Sequence, residues 1–487
     1  MNRTLLIVVA TVIILGIVGY TTYSFFFKPQ EVKVTTDESK GLKPVNLTIM
    51  TAWSQWARDD FKRYFFAESG MPRAGIFESP AAMIWNITDI VYVFSNNLNE
   101  WVKAGTEGSV NGFMGGPRYN FTLACIYGAF RPIEDPVILE VAKQIPDPLK
   151  GYTAEGKLCW VTMYYNIFGW LVNKNYAERN NLPIPESWDD LIKPEYVIPA
   201  MMNGIAVFAS TPVTDRGNME NAVTVMLSKY GWEKGWTIIA TVFSGIASVE
   251  PNVRSARDSV LLLDKALLTY LEFPECYRAY SLDPQKVIIV FPKNGTGLWL
   301  SGIAIAKGAS NEGVEGMYRL IRWWLTDAQD RMLLNRSGWL HMPVLGLNNP
   351  SPRMEFKRKA DPHLYLPPID LEVKLGNASD VIFLYADLLI ENATIRSMIK
   401  EYLNKISQLY SQKEIGTDEY YNYIYQLGKP VEFIDPLTGE KTQLTLDKAV
   451  ELGLALQRGN VNEYVLKQTL GNALIEKMKG LLNLFST

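Results

Sequence analysis

The chain has 487 residues, 48% of them hydrophobic, which is enough to form two or three packed units. Its net charge of −3 gives no electrostatic basis for binding nucleic acid or an anionic membrane surface. With only two histidines and no Cys-x-x-Cys pair, the sequence predicts neither a metal centre nor a cofactor.

The amino terminus predicts a membrane anchor. Residues 5–27 are mostly apolar and uncharged, and as a helix they would extend about 35 Å, which spans a bilayer. The alternative is a cleaved secretory signal, although such signals usually have an apolar core of only ~7–15 residues. We therefore predict a transmembrane helix within residues 1–29, followed by a polar stalk at residues 30–44.

Two kinds of covalent modification are expected in the remainder of the chain if it is exported. Asn-x-Ser/Thr sequons predict glycosylation of several asparagines. These sequons begin at Asn46, Asn86, Asn120, Asn294, Asn335, Asn377 and Asn392. The cysteines leave two alternatives open: either Cys125 and Cys159 form a disulfide that contributes ~3–4 kcal/mol, or all three cysteines are buried thiols.

The motifs with the clearest order lie between residues 164 and 236. An aromatic strand at 164–173 precedes Leu-Pro-Ile-Pro-Glu-Ser-Trp-Asp-Asp-Leu at 182–191, in which Ser187 can cap a short helix. An apolar run then ends in Ser210-Thr211-Pro212, and a helix closes on Tyr-Gly-Trp-Glu-Lys-Gly-Trp at 230–236. Loops between a buried strand and a helix collect ligands, because helix N-termini present free N–H groups, so Ser210 and Thr211 are candidate contacts.

This order of motifs resembles that of the extracellular solute-binding proteins of ABC importers. The resemblance is to the family 1 group for iron, thiamine and similar solutes, particularly its archaeal members, and it covers roughly residues 45–343. It implies an α/β, two-lobed fold of the periplasmic-binding-protein type II kind. The first part of lobe 1 would occupy residues 45–165, lobe 2 residues 166–290, and the return crossing with the remainder of both lobes residues 291–349.

The resemblance also implies a ligand site between the lobes. The first strand of this family ends at the cleft, which implicates Trp53 and Ser54; a core or rim aromatic is the alternative for Trp53. The other residues that we assign to the site are Trp85, Tyr165, Glu272, Tyr277 and Tyr280. No iron site is predicted at Tyr164-Tyr165, because adjacent strand residues point to opposite faces.

Residues 350–487 form a proline-rich connection and a helical C-terminal extension beyond the resemblance. Leu466, Leu470, Leu474 and Met478 define one apolar face of its last helix. Two alternatives remain open. The helices pack back on lobe 2 and complete it, or they add a surface for partners or self-association.

Taken together, these features predict a membrane-anchored receptor whose long C-terminal part lies outside the cell. It would capture a small solute between two lobes and deliver it to the permease subunits of an ABC importer. We expect no catalysis, because the chain has no Gly-x-Ser-x-Gly elbow, phosphate loop or dinucleotide fingerprint. The alternative is a glycosylated cell-surface structural or adhesion protein that reuses a degenerate solute-binding fold. A cleft filled by the protein's own side chains would favour this alternative.

Overall fold

The computed structural model describes residues 43–70, 79–214, 216–293, 295–334, 340–347 and 349–485. The predicted anchor at 1–29 lies outside this part of the chain, as do the sequons Asn294 and Asn335. Among the residues described, no helix is both long enough and apolar enough to cross a membrane.

Strands form the framework of both lobes. In chain order they are β1 (Val45–Thr51), β2 (Ile87–Phe94), β3 (Gly112–Met114), β4 (Lys150–Tyr152), β5 (Leu158–Asn173), β6 (Phe208–Ser210), β7 (Ala247–Val249), β8 (Leu268–Glu272), β9 (Val287–Val290), β10 (Leu298–Ile305), β11 (Met342–Pro343), β12 (Glu432–Ile434) and β13 (Lys441–Gln443).

Helices cover the sheets and make up most of the chain after β11. They are α1 (Gln55–Phe66), α2 (Ala81–Ile84), α3 (Leu98–Glu107), α4 (Arg118–Ile126), α5 (Pro136–Ala142), α6 (Lys174–Arg179), α7 (Pro194–Asn203), α8 (Arg216–Tyr230), α9 (Trp232–Ile239), α10 (Val253–Leu261), α11 (Phe273–Leu282), α12 (Asn311–Leu325), α13 (Asp327–Arg331), α14 (Pro352–Ala360), α15 (Ile369–Asn377), α16 (Ser379–Ile390), α17 (Ala393–Ser411), α18 (Thr417–Gln426), α19 (Leu446–Gln457) and α20 (Glu463–Asn483). Short 3-10 turns include Trp188–Ile192 and Asp361–His363.

Strand β5 belongs to both sheets. Its 16 residues are buried at every position. The part from Trp160 to Ile167 pairs antiparallel with β10, whereas the part from Phe168 onward pairs antiparallel with β8 and β9. One continuous strand therefore joins the two lobes.

The first lobe contains the strand order β2-β1-β3-β10-β5. Strands β1, β2 and β3 are mutually parallel, and β10 runs antiparallel to β3 and to β5. The second lobe contains β5, β8, β6 and β7, with β6 parallel to both β7 and β8. The chain returns to the first lobe between β9 and β10, and it passes to the second lobe again between α14 and α15, so three connections cross between the lobes among the residues described.

The C-terminal helices complete the core of the second lobe. Leu388 of α16, Leu403 of α17 and Leu470 of α20 belong to the same buried apolar cluster as Trp188 and Phe208 of lobe 2. Arg396 of α17 donates to the Ala247 carbonyl oxygen at 2.8 Å. Of the two alternatives for the extension, packing on lobe 2 is therefore the one observed.

The structure contains the disulfide between Cys125 and Cys159, with the two Cα atoms 6.3 Å apart. It joins the end of α4 to the beginning of β5. Cys276 is a free thiol that is fully buried. The paired alternative for these cysteines therefore holds.

The structure corrects one glycosylation prediction. Asn120, in α4, is fully buried, and its side-chain amide donates to the Asn96 carbonyl oxygen at 3.2 Å. A glycan on this nitrogen is incompatible with that packing. Asn46 is exposed and Asn86, Asn377 and Asn392 are half-buried, so their glycosylation stays a prediction.

Thiol titration tests the cysteine arrangement. Native, unreduced protein should show no reactive thiol, because burial also raises the pKa of the Cys276 thiol. Unfolding in denaturant without reductant should expose one thiol per chain, measured with an aromatic disulfide reagent. Three thiols under the same conditions would contradict the bridge.

Leucine substitutions on one helix test the role of the extension. Leu470→Ala should lower the free energy of unfolding by ~2–5 kcal/mol, because Leu470 is fully buried in the lobe 2 core. The matched change Leu484→Ala, directly after α20, should cost at most about 0.5 kcal/mol, since Leu484 is 53% exposed. Urea unfolding followed by circular dichroism measures both. Equal effects would mean that α20 does not support lobe 2.

Candidate functional site

The candidate site is the cleft between the carboxyl ends of the two sets of parallel strands. In lobe 1, β1 ends at Thr51 and β3 at Met114; in lobe 2, β6 ends at Ser210 and β8 at Glu272. Ligands of open α/β sheets bind outside these carboxyl ends, where the following helices begin. The sequence assigned candidate residues to both edges.

A tight glycine turn brings helix α4 to the lobe 1 edge. Gly115 follows β3 with a φ of 75°, and a Cβ atom there would lie 2.0 Å from the Trp53 indole nitrogen. Only glycine fits this position, because it tolerates positive φ and leaves room for the ring. The turn places Arg118, the first residue of α4, at the cleft.

Of the two predicted residues after β1, Trp53 lies buried beneath the site and Ser54 lies at the surface. Trp53 is 7% exposed, and its indole nitrogen donates to the Ser301 hydroxyl at 3.1 Å. Its ring also stacks on Tyr164, with ring centroids 6.2 Å apart. Trp53 is therefore a floor residue, as the core alternative expected. Ser54 is exposed and caps α1 by accepting from the Ala57 N–H.

Glu272 is held at the lobe 2 edge by two asparagines. Its Oε2 accepts from the Asn166 side-chain amide at 2.9 Å, and its backbone N–H donates to Asn218 Oδ1 at 2.8 Å. Trp299, which pairs with Asn166 across β5 and β10, is 41% exposed. Sequence reasoning missed Asn166, Asn218 and Trp299. An amide within the apolar strand β5 was the available signal for Asn166.

The remaining lobe 2 candidates lie at the cleft edge or beside it, but they face protein. Ser210 is fully buried, and its hydroxyl donates to the Thr211 carbonyl oxygen at 2.8 Å. Thr211 is 4% exposed. Tyr277 and Tyr280, both half-buried on α11, pack against Phe356 of α14. These tyrosines contact the C-terminal extension instead of an open cleft.

The structure corrects the assignment of Trp85. This residue ends α2 just before β2, and Ile87 at the start of β2 pairs with Val45 at the start of β1. Parallel strands have their amino ends at one edge, so Trp85 lies at the opposite edge from the cleft. A seven-residue strand at ~3.3 Å per residue separates the two edges by about 20 Å.

Tyr164 and Tyr165 are buried and do not form a pair of metal ligands. Tyr164 packs among Trp53 and Trp324, whereas the Tyr165 hydroxyl donates to Asp361 Oδ1 at 2.7 Å. Within the described ranges, no group of three or more His, Cys, Asp or Glu residues is placed to hold a metal ion.

A segment of the C-terminal extension enters the cleft. Arg118 donates to the Pro367 carbonyl oxygen at 3.1 Å and forms an ion pair with Glu372 Oε2 at 3.2 Å. The Tyr119 backbone N–H also faces the Glu372 carboxylate. Both partners of the ion pair are mostly buried, with 16% and 17% of their side chains exposed. A carboxylate of the chain itself therefore lies at the N-terminus of α4.

Burial dominates the electrostatics at Glu372. It raises the pKa of this carboxyl to about 6, against the opposing effects of Arg118 and of the Tyr119 N–H. Burial also raises the pKa of Tyr119, and the carboxylates of Glu220, on α8, and Glu372 add to that effect. Two acidic residues, one from lobe 2 and one from the extension, thus approach the same end of α4.

Comparison with known proteins gives one family match. Residues 124–363, just under half of the chain, match the family described as bacterial extracellular solute-binding protein. No protein of curated function matches the chain.

Among solved structures, three illustrate the similarity of shape. Iron-bound HitA from Pseudomonas aeruginosa has 14% identity and a TM-score of 0.46, with 67% of this chain and 95% of that chain covered. An ABC transporter protein from Clostridium perfringens has 15% identity and a TM-score of 0.48, with 69% and 98% covered. The ferric binding protein from Campylobacter jejuni has 14% identity and a TM-score of 0.44, with 73% and 99% covered. Scores this low carry no inference about the ligand of this chain.

The raised pKa of Glu372 predicts a pH-dependent stability difference between the native chain and Glu372→Gln. A raised pKa means that the folded state binds the proton more tightly, so the cost of ionisation is absent below about pH 4.5 and complete above about pH 6. Relative to Glu372→Gln, the native chain should therefore lose about 2 kcal/mol of unfolding free energy as the pH rises through this window.

Urea unfolding at pH 4 and pH 7 measures this difference, with the exposed Glu414→Gln as the matched control. If the native chain and Glu372→Gln differ in unfolding free energy by the same amount at both pH values, Glu372 is not buried in solution.

Proposed function

We propose that this protein is an extracytoplasmic solute-binding receptor of an ABC importer. The observation that supports this most is the family match at residues 124–363, because this region contains β5, β10 and the whole lobe 2 sheet. These elements form the lobe 2 edge of the candidate site, whereas β1 and β3 of the lobe 1 edge precede the match. The type II two-lobed arrangement is the framework for this function.

Recognition in this proposal is a physical closure without chemistry. Three connections join the lobes among the residues described, so rotation of one lobe against the other requires small changes of backbone angles in β5, between β9 and β10, and between α14 and α15. Closure around a solute would bring Arg118 of lobe 1 towards Glu272 and Asn218 of lobe 2. Polar groups of both signs at the cleft favour a small polar solute over an apolar one. The permease subunits of the importer would then accept the closed form.

Iron is not the solute that we propose, although several structures of similar shape are iron-binding proteins by name. Ferric ion requires hard oxygen donors that converge on one point. The adjacent tyrosines of β5 are buried, and Tyr165 is engaged by Asp361.

The location of the protein belongs to the same proposal. We place the described part outside the cytoplasm, with the apolar residues 5–27 as a single-pass anchor. The disulfide between Cys125 and Cys159 supports this placement, because such bonds persist in oxidising compartments. Self-association through the C-terminal helices is also proposed, since α20 carries exposed apolar side chains at Tyr464 and Val465.

A second candidate is a structural or adhesion protein of the cell surface with a degenerate cleft. The observation that favours it is the entry of Pro367 and Glu372 into the cleft, where they contact Arg118. In this case the cleft would bind nothing, and the segment would be a permanent part of the core.

Solute binding decides between the two candidates. Native mass spectrometry of protein from its own host, followed by a thermal-shift screen of ions, sugars, peptides and vitamins, should find a stabilising compound. At 100 times its Kd, a solute that binds only the native state adds about 2.7 kcal/mol of stability.

The variant Glu272→Gln should weaken that shift, because it changes the acid held by Asn166 and Asn218 at the cleft. Glu414→Gln, on the exposed surface, should leave the shift unchanged. Absence of any bound compound and of any shift across the screen would support the structural candidate.

A further inference from the structure

Residues 364–368 run in an extended conformation between the two lobes, and their side chains alternate between them. Leu364 and Leu366 pack against the apolar core of lobe 1, whereas Tyr365 packs against the core of lobe 2. Alternation with a period of two is what an extended backbone produces. Lobe 1 therefore contacts Leu364 and Leu366, and lobe 2 contacts the tyrosine between them.

The backbone of this segment is joined to the connection between the lobes. The Thr296 N–H donates to the His363 carbonyl oxygen at 3.1 Å, and the Tyr365 N–H donates to the Thr296 carbonyl oxygen at 2.9 Å. Thr296 lies two residues before β10, in the return connection from lobe 2. The segment is thus attached at the point about which the lobes would rotate.

Side chains of both lobes hold the rest of the segment. Arg118 of lobe 1 binds the Pro367 carbonyl oxygen and the Glu372 carboxylate. On lobe 2, the Lys229 ammonium group lies 5.2 Å from the centroid of the Tyr365 ring. We call residues 364–372 the interlobe segment, because its contacts reach both lobes.

The interlobe segment is attached less firmly than the sheets that it joins. Among the described residues, two hydrogen bonds join its backbone to the lobes: the Tyr365 N–H donates to the Thr296 carbonyl oxygen, and the Arg118 side chain donates to the Pro367 carbonyl oxygen. Within the same described part, Oε2 of Glu372 is buried with an ion-pair partner but no aligned hydrogen bond. Buried charge with incomplete hydrogen bonding costs free energy in the closed state, which lowers the free energy of local opening. The segment also begins directly after residue 363, where the family match ends.

We propose that the interlobe segment is a releasable plug: it occupies the cleft in the free protein and must leave before a solute can bind between the lobes. The plug holds the two lobes together, because rotation of one lobe against the other would break either the contacts of Leu364 and Leu366 with lobe 1 or those of Tyr365 with lobe 2. The claim that the plug competes with solute rests on the proposed receptor function. The claim that the plug is released reversibly does not depend on any ligand.

Release of the plug sets the apparent affinity of the receptor. If only a fraction of molecules has an open cleft, the apparent Kd is the intrinsic Kd divided by that fraction. A change that weakens the plug should therefore tighten solute binding. A change that strengthens it should have the opposite effect.

Hydrogen exchange of the full-length protein, read by mass spectrometry of peptides, tests release. Peptides that cover residues 361–375 should exchange through local opening, so low concentrations of urea should hardly change their exchange rate. Peptides from β5 and β8 should exchange only through global unfolding, so urea should accelerate them strongly. Tyr365→Ala should accelerate exchange of the plug peptides about tenfold and leave the β5 and β8 peptides unchanged. Tyr127→Ala, at a tyrosine that is 59% exposed, is the matched control and should change neither.

A second variant keeps the test decisive if Tyr365→Ala folds poorly. The ratio of plug exchange in the native chain to that in Glu372→Gln should rise between pH 4 and pH 7, because ionisation of the buried carboxyl destabilises the closed segment in the native chain only. The proposal is overturned if residues 361–375 share the urea dependence of β5 and β8, because the segment would then be permanent core.

Thermal shift with the panel of ions, sugars, peptides and vitamins tests the competition. A compound that stabilises Tyr365→Ala at lower concentration than the native chain supports the plug. Equal affinities for both proteins overturn its inhibitory role. Local exchange of the plug without any shift in either protein leaves release established and instead contradicts the receptor function.

Discussion

The architecture depends on one strand that two sheets share. Strand β5 is buried along its whole length, and it changes partners from β10 to β8 and β9 between Ile167 and Phe168. A strand covered on both faces must be apolar nearly throughout, which is how this stretch reads. Because the backbone of β5 is continuous, a sheet whose hydrogen bonds to β5 are complete also fixes the position of the other sheet. This coupling fixes the cleft between the two carboxyl edges.

A second constraint comes from the core of lobe 2, which the α/β part of the chain does not fill by itself. Trp236 packs edge-on against Tyr385 of α16, with ring centroids 4.7 Å apart. A Cβ atom on Gly245 would lie 2.3 Å from a methyl carbon of Leu403, so α17 lies directly against the π-helical segment Ala240–Gly245 that follows α9. The chain must therefore travel from α14, beside lobe 1, to α16 on lobe 2. Its path between them is the interlobe segment, so the occupied cleft follows from where the last core elements lie.

Local features of the sequence translated directly into structure. Ser187 occupies the predicted N-cap position ahead of the turn Trp188–Ile192, and its backbone N–H donates to Asp190 Oδ2 at 2.8 Å. The amphipathic stripe of Leu466, Leu470, Leu474 and Met478 is buried as one face of α20. Such features depend on neighbours within about one helical turn, so a pattern of spacing predicts them.

The candidate site was less predictable, because its residues meet across long separations. The residue type at Trp85 or Asn120 contains no information about which edge of a sheet or which side of a helix it occupies. The burial of Asn120 appears only when α4 packs in lobe 1, and the distance of Trp85 from the cleft appears only when β1 pairs with β2. The contact between Arg118 and Glu372 joins residues more than 250 positions apart, and neither belongs to a motif.

The sequence by itself determined the α/β class, the apolar strand at 164–173, the N-cap position of Ser187 and the resemblance to solute-binding proteins, because local spacing and composition encode these features. Only the tertiary structure decided that Cys125 pairs with Cys159, that the C-terminal helices complete lobe 2, and that the chain's own residues 364–372 lie in the cleft. The physical reason is that each of these depends on free energy shared between distant segments. Burial, ion pairing and disulfide geometry depend on which surfaces meet, and that is settled only when the whole chain packs.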